Sequence, residues 1–448
     1  MINFATLQGM TIPEGVVTQI EKDGVVLWQM ETSKPIILEV EKIASDTYAG
    51  ETTYTAEEFI LLDIYPKTNG TVNVTYGGLT KTITDTSGAE EPNAHQVFFG
   101  TFNGVSDSVV TPTSGEVTIE GDYASVTKAS YQKMGEKSAG TYQCACIKNI
   151  KSLGSISRIY EYAFSNIVGL TNLKIPNSVL TFGNGAFSNC TNLTSVDIQC
   201  SDISAYAFSN CTNLTSVTIG KDVTNIEYCA FSGCEKLVEF LIKGDSFVSE
   251  NGALFTSDKT KLLSYPTATG AYSIPNGVID ITGVFAKCKN LTSVTIPSSV
   301  KSIGSSTFDE CTNLTSVTIP SSVKSIGSNA FYRCNLTSLF IPEGVTSIGS
   351  SAFNGSIKAI DKLAIPSTVE YIGSSAFLKF GYDDGASSLE VTLLPTTPPT
   401  LESADVFGDI NFIDDEDTLS IIVPKGTAAL YKDTTKWISL RQYIVEAN

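Results

Sequence analysis

The sequence predicts a mainly β protein. A solenoid of about eleven coils spans residues 141–422, with a capping unit at 423–448, a β-sandwich at 32–140 and a short β segment at 1–31. Three observations carry this. The sixteen residues NLTSVTIPSSVKSIGS at 290–305 return letter for letter at 313–328. A phenylalanine, usually after alanine, recurs at Phe164, Phe187, Phe208, Phe231, Phe255, Phe285, Phe308, Phe331, Phe353, Phe377 and Phe407, with gaps of 23, 21, 23, 24, 30, 23, 23, 22, 24 and 30. Residues 36–140 read instead as short alternating runs between turn residues.

Within one repeat the apolar letters are Leu314, Val317, Ile319, Val323, Ile326, Phe331 and Cys334. They follow neither the 3.6 period of a long helix nor sustained alternation; they suit a coil that turns inward once per side. Leu314 to Ile319 reads as a short strand with Val317 and Ile319 inward. Pro320, lacking an N–H, ends its ladder. The same Ile-Pro pair stands at Pro176, Pro275, Pro297, Pro342 and Pro366. Ile326 is a second inward residue, Gly327 permits a tight turn, and Phe331 is the wedge between coils. One such unit cannot bury its own apolar faces, so neighbours must stack and share them. The expectation is one continuous apolar spine with a phenylalanine per coil, about 50 Å long at ~4.8 Å per parallel step.

CTNLTSVTIPSSVKSIGS (311–328) closely resembles the BspA-type (Treponema-type) leucine-rich repeat of bacterial surface proteins, and the resemblance runs over about 150–445. It includes a longer unit, SENGALFTSDKTKLLSYPTATGAYSIPNGV (249–278), and an ending, IIVPKGTAALYKDTTKWISLRQYI, similar to the family's terminal unit. There Val423-Pro424 closes a last strand, and an amphipathic helix through Leu430 and Trp437 covers the open end. The resemblance implies an extracellular or cell-surface binding protein.

Before the coils, IILEVEKI, FILLDIYP, TVNVTYGG, QVFFGTF and GEVTIEG alternate between Gly, Asn, Pro and Asp turns, the pattern of an immunoglobulin-like sandwich without its Cys…Trp…Cys signature. Residues 136–157 are expected to cap the solenoid. The first thirty residues suit a strand–turn–strand ending in Trp28, and weakly resemble N-terminal segments of phage or prophage tail proteins. That resemblance implies an alternative function, a tail component recognising a bacterial host, with a virion as its location.

The totals exclude some partners. A net charge of −18 over 448 residues repels nucleic acid and anionic membranes. No apolar run reaches the roughly 20 residues of a spanning helix, so no membrane insertion is expected. MINFATLQGM has neither a basic nor an apolar leader region, so no secretory signal is visible. LPTTP at 394–398 has Pro398 where a cell-wall sorting signal needs glycine, and reads as a Pro-rich turn.

Chemistry-bearing constellations are sparse, and no cofactor, metal or catalytic residue is assigned. Cys190, Cys211, Cys234, Cys288, Cys311 and Cys334 each follow the repeat phenylalanine by three residues and stack in line. Parallel side chains ~4.8 Å apart hold their Cβ atoms beyond the ~3.5–4.5 Å of a disulfide, so these read as small buried hydrophobes. Ile167, Ser356 and Phe380 fill the same position elsewhere. Cys144 and Cys146 lack further zinc ligands nearby. His95, the single histidine, reads as an exposed loop residue before a strand and rules out a histidine-based nucleophilic site within the coils. DDED at 414–417 lacks the spacing of a calcium loop. Asn192-Leu-Thr and Asn313-Leu-Thr arise from the repeat and imply no glycan.

The outward strand positions are the candidate binding strip. They are Thr215, Ser216 and Thr218; Thr292, Ser293 and Thr295; Thr315, Ser316 and Thr318; then Thr337, Ser338 and Phe340. Glu239, Leu241, Lys174, Asp361 and Lys362 depart from the hydroxyl tiling. Threonine also simply suits strands. The function expected is non-enzymatic: adhesion through this strip to a host protein or glycan.

Overall fold

The computed structural model describes residues 147–154, 156–356, 362–378, 388–407 and 418–447 continuously, and before them the backbone of separate strands. Gln19–Lys22 and Val25–Gln29 pair as two antiparallel strands. The five alternating runs form strands Ile36–Val40, Glu58–Pro66, Thr71–Tyr76, His95–Phe102 and Gly115–Gly121. These fall into two antiparallel sheets. The first runs in the order Ile147–Ser152, Ile36–Val40, Gly115–Gly121, Thr71–Tyr76, Leu79–Thr84. The second runs Tyr123–Lys128, Glu58–Pro66, His95–Phe102, Val105–Ser106. The side chains that would define an immunoglobulin-like core lie mostly outside the described residues. His95 opens a strand rather than lying in a loop. Ile147–Ser152, within the segment expected to cap the coils, pairs antiparallel with Ile36–Val40.

The rest is a β-solenoid of about eleven turns. Most coils contribute one parallel strand to a broad face, in the order Asn172–Ile175, Ser195–Ile198, Ser216–Ile219, Glu239–Ile242 in the first sheet. Equivalent residues pair: Val196 with Val217, Ile198 with Ile219. A second, two-residue ladder lies around the corner, where Ile303, Ile326, Ile348 and Ile372 stack one above another. Between the two, the proline carbonyls of Pro297, Pro320 and Pro366 each accept an N–H three residues on at 3.1 Å, so the residue that ends the strand also starts the turn.

The phenylalanines stack face to face. Phe164, Phe187, Phe208 and Phe231 follow one another at centroid distances of 5.4, 5.7 and 5.7 Å. Phe285, Phe308, Phe331, Phe353, Phe377 and Phe407 do so at 5.3, 5.2, 5.1, 5.4 and 5.8 Å. Beneath each ring the backbone continues the stack: Phe208, Phe308, Phe331 and Phe353 donate their N–H to the alanine carbonyl of the next coil at 2.8 Å. The turns around the stacked phenylalanines from Phe164 to Phe353 each use two left-handed residues. These lie two before the phenylalanine (Tyr162, Tyr206, Ser306, Asn329) and two after it (Asn166, Asn210, Glu310, Arg333).

Three expectations are corrected. Gly327 has no left-handed φ; a Cβ there would lie 2.6 Å from the Ser305 backbone nitrogen, so glycine is needed because two coils touch backbone to backbone. The spine is not single. Its core divides into one cluster from Ile150 to Phe240, joined by Phe247 and Leu254 and by Val72 and Val74 of the Thr71–Tyr76 strand, and a second from Ala253 and Phe255 through Ile444. Between them Phe247–Glu250, Ala253–Thr256 and Leu262–Ser264 form an antiparallel meander. Phe255 belongs to that meander and is not a wedge. Tyr265 takes its slot instead, its N–H donating to the Val284 carbonyl at 3.4 Å as Phe208 does to Ala230. Across the joint Cys229 Sγ donates to the Gly283 carbonyl at 3.5 Å, and Lys289 pairs with Glu235 at 2.9 Å.

The last strand, Thr418–Val423, is followed by a short helix Ala428–Asp433, a 3-10 helix Trp437–Tyr443 and a further parallel strand Ile444–Glu446. Trp437 closes the ring stack against Phe407, as expected. Leu430 does not: it is 50% exposed, and Tyr431 next to it is the buried residue. The Tyr431 hydroxyl and Trp437 Nε1 donate to the carbonyls of Pro395 and Pro399 at 2.7 and 2.8 Å, clamping the Pro-rich turn.

Candidate functional site

The cysteine line is structural. All six of its members are buried with free thiols. Each thiol donates to the carbonyl of the aromatic slot one coil back: Cys190 to Phe164, Cys211 to Phe187, Cys234 to Phe208, Cys288 to Tyr265, Cys311 to Phe285 and Cys334 to Phe308, at 2.9–3.3 Å. Burial raises the thiols of Cys211, Cys234, Cys288, Cys311 and Cys334, to about 12 at Cys234, so these are poor nucleophiles. Ile167 and Ser356 are buried at the same position, and Phe380, Cys144 and Cys146 lie outside the described residues. The sequon asparagines are likewise engaged: Asn192 and Asn313 donate their amides to the carbonyls of Val168 and Lys289 at 2.8 and 2.7 Å. DDED lies outside the described residues. Among the described residues, no three His, Cys, Asp or Glu side chains gather closely enough to hold a metal, and no helix is long and apolar enough to cross a membrane.

One half-buried carboxylate stands out. Asp309 Oδ1 has no hydrogen-bond partner, and burial, with repulsion from Glu310, pushes its carboxyl up to about 6 against the pull of Lys287 and Arg333. It lies in the second block, one coil beyond Lys287, whose Nζ reaches back across the joint to Asn210 Oδ1 at 3.1 Å. Nothing in the sequence singled it out.

The strip residues lie at exposed or half-exposed positions, but they do not form one strip. Thr215, Ser216, Thr218, Glu239 and Leu241 lie at the end of the first sheet. Thr292, Ser293, Thr295, Ser316 and Thr318 lie in a second, Gly270–Ser273, Leu291–Thr295, Ser316–Thr318. Strand pairing then lapses across Thr337, Ser338 and Phe340 and resumes in a third sheet that starts at Lys362–Ile365. Asp361 lies outside the described residues.

The hydroxyls divide in two. Thr215, Thr315 and Thr337 donate to the carbonyls of Thr194, Thr292 and Thr315 in the preceding coil at 3.0, 3.2 and 3.2 Å, so these residues tie coils together. Ser216, Thr218, Ser293, Thr295, Ser316, Thr318 and Ser338 make no side-chain hydrogen bond among the described residues, and nor does Thr292, although it shares the column of Thr315 and Thr337. Of the charged departures the two lysines are paired across strands, Lys174 with Asp197 at 3.7 Å and Lys362 with Glu390 at 3.1 Å, while Glu239 is exposed with no ion pair among the described residues. Both partners were missed, although their offsets of 23 and 28 residues place them one coil apart. Exposed pairs of this kind contribute about 0–1 kcal/mol. Their main effect is to neutralise those two lysines.

The stacked parallel coils, capped at one end and open to solvent along one face, define a solenoid repeat protein. The chain belongs to the BspA-type leucine-rich repeat family: the family's sequence model matches six copies, over residues 138–259 and 281–382, half of the chain. Among solved structures, a leucine-rich cell surface protein from Faecalibacterium prausnitzii A2-165 is similar at 33% identity over 50% of this chain and 62% of that one, with a TM-score of 0.45. The pneumococcal vaccine antigen PcpA is similar at 22% identity over 65% of this chain and 70% of that one, with a TM-score of 0.49. The chain thus spans under two thirds of the Faecalibacterium protein's length. No curated protein matches it. The family assignment rests on the repeat.

Proposed function

We propose that this chain is a non-enzymatic, adhesion-type binding protein of the bacterial surface, presenting the outward face of its coils to a protein or glycan. The observation that carries the reading is the division of hydroxyls. Those that hold the stack are engaged, while Ser216, Thr218, Ser293, Thr295, Ser316 and Thr318 face outward with donor and acceptor capacity unused. Family membership supports it, since solenoids bind along the surfaces their stacking creates. The acidic total directs the reading away from nucleic acid and anionic lipid. The alternative of a tail component rests on residues 1–31, of which only one antiparallel pair is described, and no observation favours it.

The test is capture by the whole immobilised chain from a panel of extracellular matrix proteins and a glycan array. A variant carrying Ser216→Asp, Ser293→Asp and Ser316→Asp serves as comparison. Loss of captured partners in a variant that melts at the unsubstituted temperature supports the proposal. Undiminished capture moves binding off this face, and no capture by either chain leaves a spacer role in its place.

A further inference from the structure

We propose that the coil around Phe340 is a carbohydrate subsite for a neutral polysaccharide, an assignment that rests on the outward-face reading above. In the second sheet Ser273, Thr295 and Thr318 pair in register as one outward column. Phe340 holds the next place in that column, since Leu336-Thr337-Ser338-Leu339-Phe340 repeats Leu314-Thr315-Ser316-Val317-Thr318; Ala364 follows it. Every described phenylalanine of the repeat is buried, yet Phe340 is 76% exposed. Leu339 beside it packs on the core, so the segment is anchored from beneath and its ring stands outward.

The surroundings choose the ligand class. A phenyl ring presents about 150–250 Å², whereas a specific protein partner covers about 800 Å² per side around several aromatic or arginine anchors. The outward neighbours of Phe340 are small: Thr318, Ser338 and Ala364. One isolated ring among hydroxyls is too little apolar surface for the centre of a protein interface. It matches a pyranose, which stacks its C–H face on the ring while its hydroxyls exchange donor and acceptor roles with Ser316, Thr318 and Ser338. The column Ser273, Thr295, Thr318, Phe340, Ala364 holds no charged residue, and Lys362, which follows Ser316 and Ser338 in the neighbouring column, is paired with Glu390 at 3.1 Å. The net charge of −18 further opposes an anionic polymer.

Affinity electrophoresis of the whole chain through gels containing dextran, laminarin, mannan or, as the anionic comparison, hyaluronan tests the assignment. At least one neutral polymer retards the chain, and Phe340→Ala weakens that retardation at least about tenfold. Phe340→Trp retains it, and Leu180→Ala, at a residue that is 81% exposed elsewhere, leaves it unchanged. Melting of each variant confirms that the fold persists. Retardation by none of the neutral polymers, by hyaluronan alone, or equally in Phe340→Ala overturns the assignment. If Phe340→Ala instead abolishes capture of a protein while no neutral polymer binds, the outward face remains the binding surface and only the carbohydrate subsite falls.

Discussion

The coils before the meander and those after it are built from different letters and stack alike. After it, the inter-coil glycine recurs as Gly304, Gly327, Gly349 and Gly373; before it, the same column reads Gly183, Ser204 and Glu227. The left-handed position before the ring is Tyr162, Gly185, Tyr206 and Cys229 in the first block, and Gly283, Ser306, Asn329 and Ser351 in the second. Nevertheless the rings lie 5.4–5.7 Å apart in the first and 5.1–5.4 Å from Phe285 to Phe377. Letter-perfect repetition is therefore not what stacks the coils. What both blocks share is an inward aliphatic set, one ring and one donor that satisfies the carbonyl behind it.

This comparison sets the expected order of effects. Phe208→Ala and Phe308→Ala each remove a ring stacked on both faces and should cost about 3–5 kcal/mol in chemical denaturation, equally in the two blocks. A cost confined to the second block would tie stability to exact repetition. Gly327→Ala drives a methyl into the backbone of the previous coil and should cost about 1–3 kcal/mol, while Ser204→Ala, in the same column of the first block, costs much less.

Asp309 distinguishes the blocks by pH. Its carboxyl titrates at about 6 in the fold against an ordinary 3.8, so the folded chain binds the extra proton. The group is at its most favourable below pH 3.8, and stability drains away as pH rises from there to about 6. With its partial exposure the loss is on the order of 1–2 kcal/mol. Asp309→Asn should flatten that part of the melting-temperature profile, and an unchanged profile would contradict the assignment. Cys234→Ala and Cys311→Ala should each cost about 1 kcal/mol, through one lost hydrogen bond and a small void. Phe340→Ala, in a ring that faces solvent, should stay within about 0.5 kcal/mol.

Much of this was legible because stacking repeats its demands at a fixed interval. Leu314, Ile319, Ile326 and Phe331 are inward for the same reason in every coil, and that periodicity also exposed Ser316 and Thr318 as outward. Phe255 deceived because its spacing of 24 residues mimics the repeat while its strand pairs antiparallel in the meander; Tyr265, followed by Pro266, is the ring position the period conceals. Arg333 and Glu310 hide the left-handed turns, since neither is a residue that signals them. Tyr431 rather than Leu430 is buried because a six-residue helix commits only one side chain to the core, and a one-residue rotation is beyond an amphipathic pattern that short. Breaks in the outward face depend on where strand pairing lapses near Phe340, a matter of backbone geometry with no letter of its own.

The central claim is that inward residues, helped by the threonines that bond the preceding coil, carry the stack and that the outward positions Ser293, Ser316 and Phe340 carry none of it. Its most direct test is the melting temperature of a variant with Ser293→Asp, Ser316→Asp and Phe340→Asp together, set against Phe308→Ala. The account predicts that the triple outward variant melts within a degree or two of the unsubstituted chain, about the shift of a sub-kcal/mol change, whereas Phe308→Ala melts many degrees lower. A triple variant that falls as far as Phe308→Ala would contradict it.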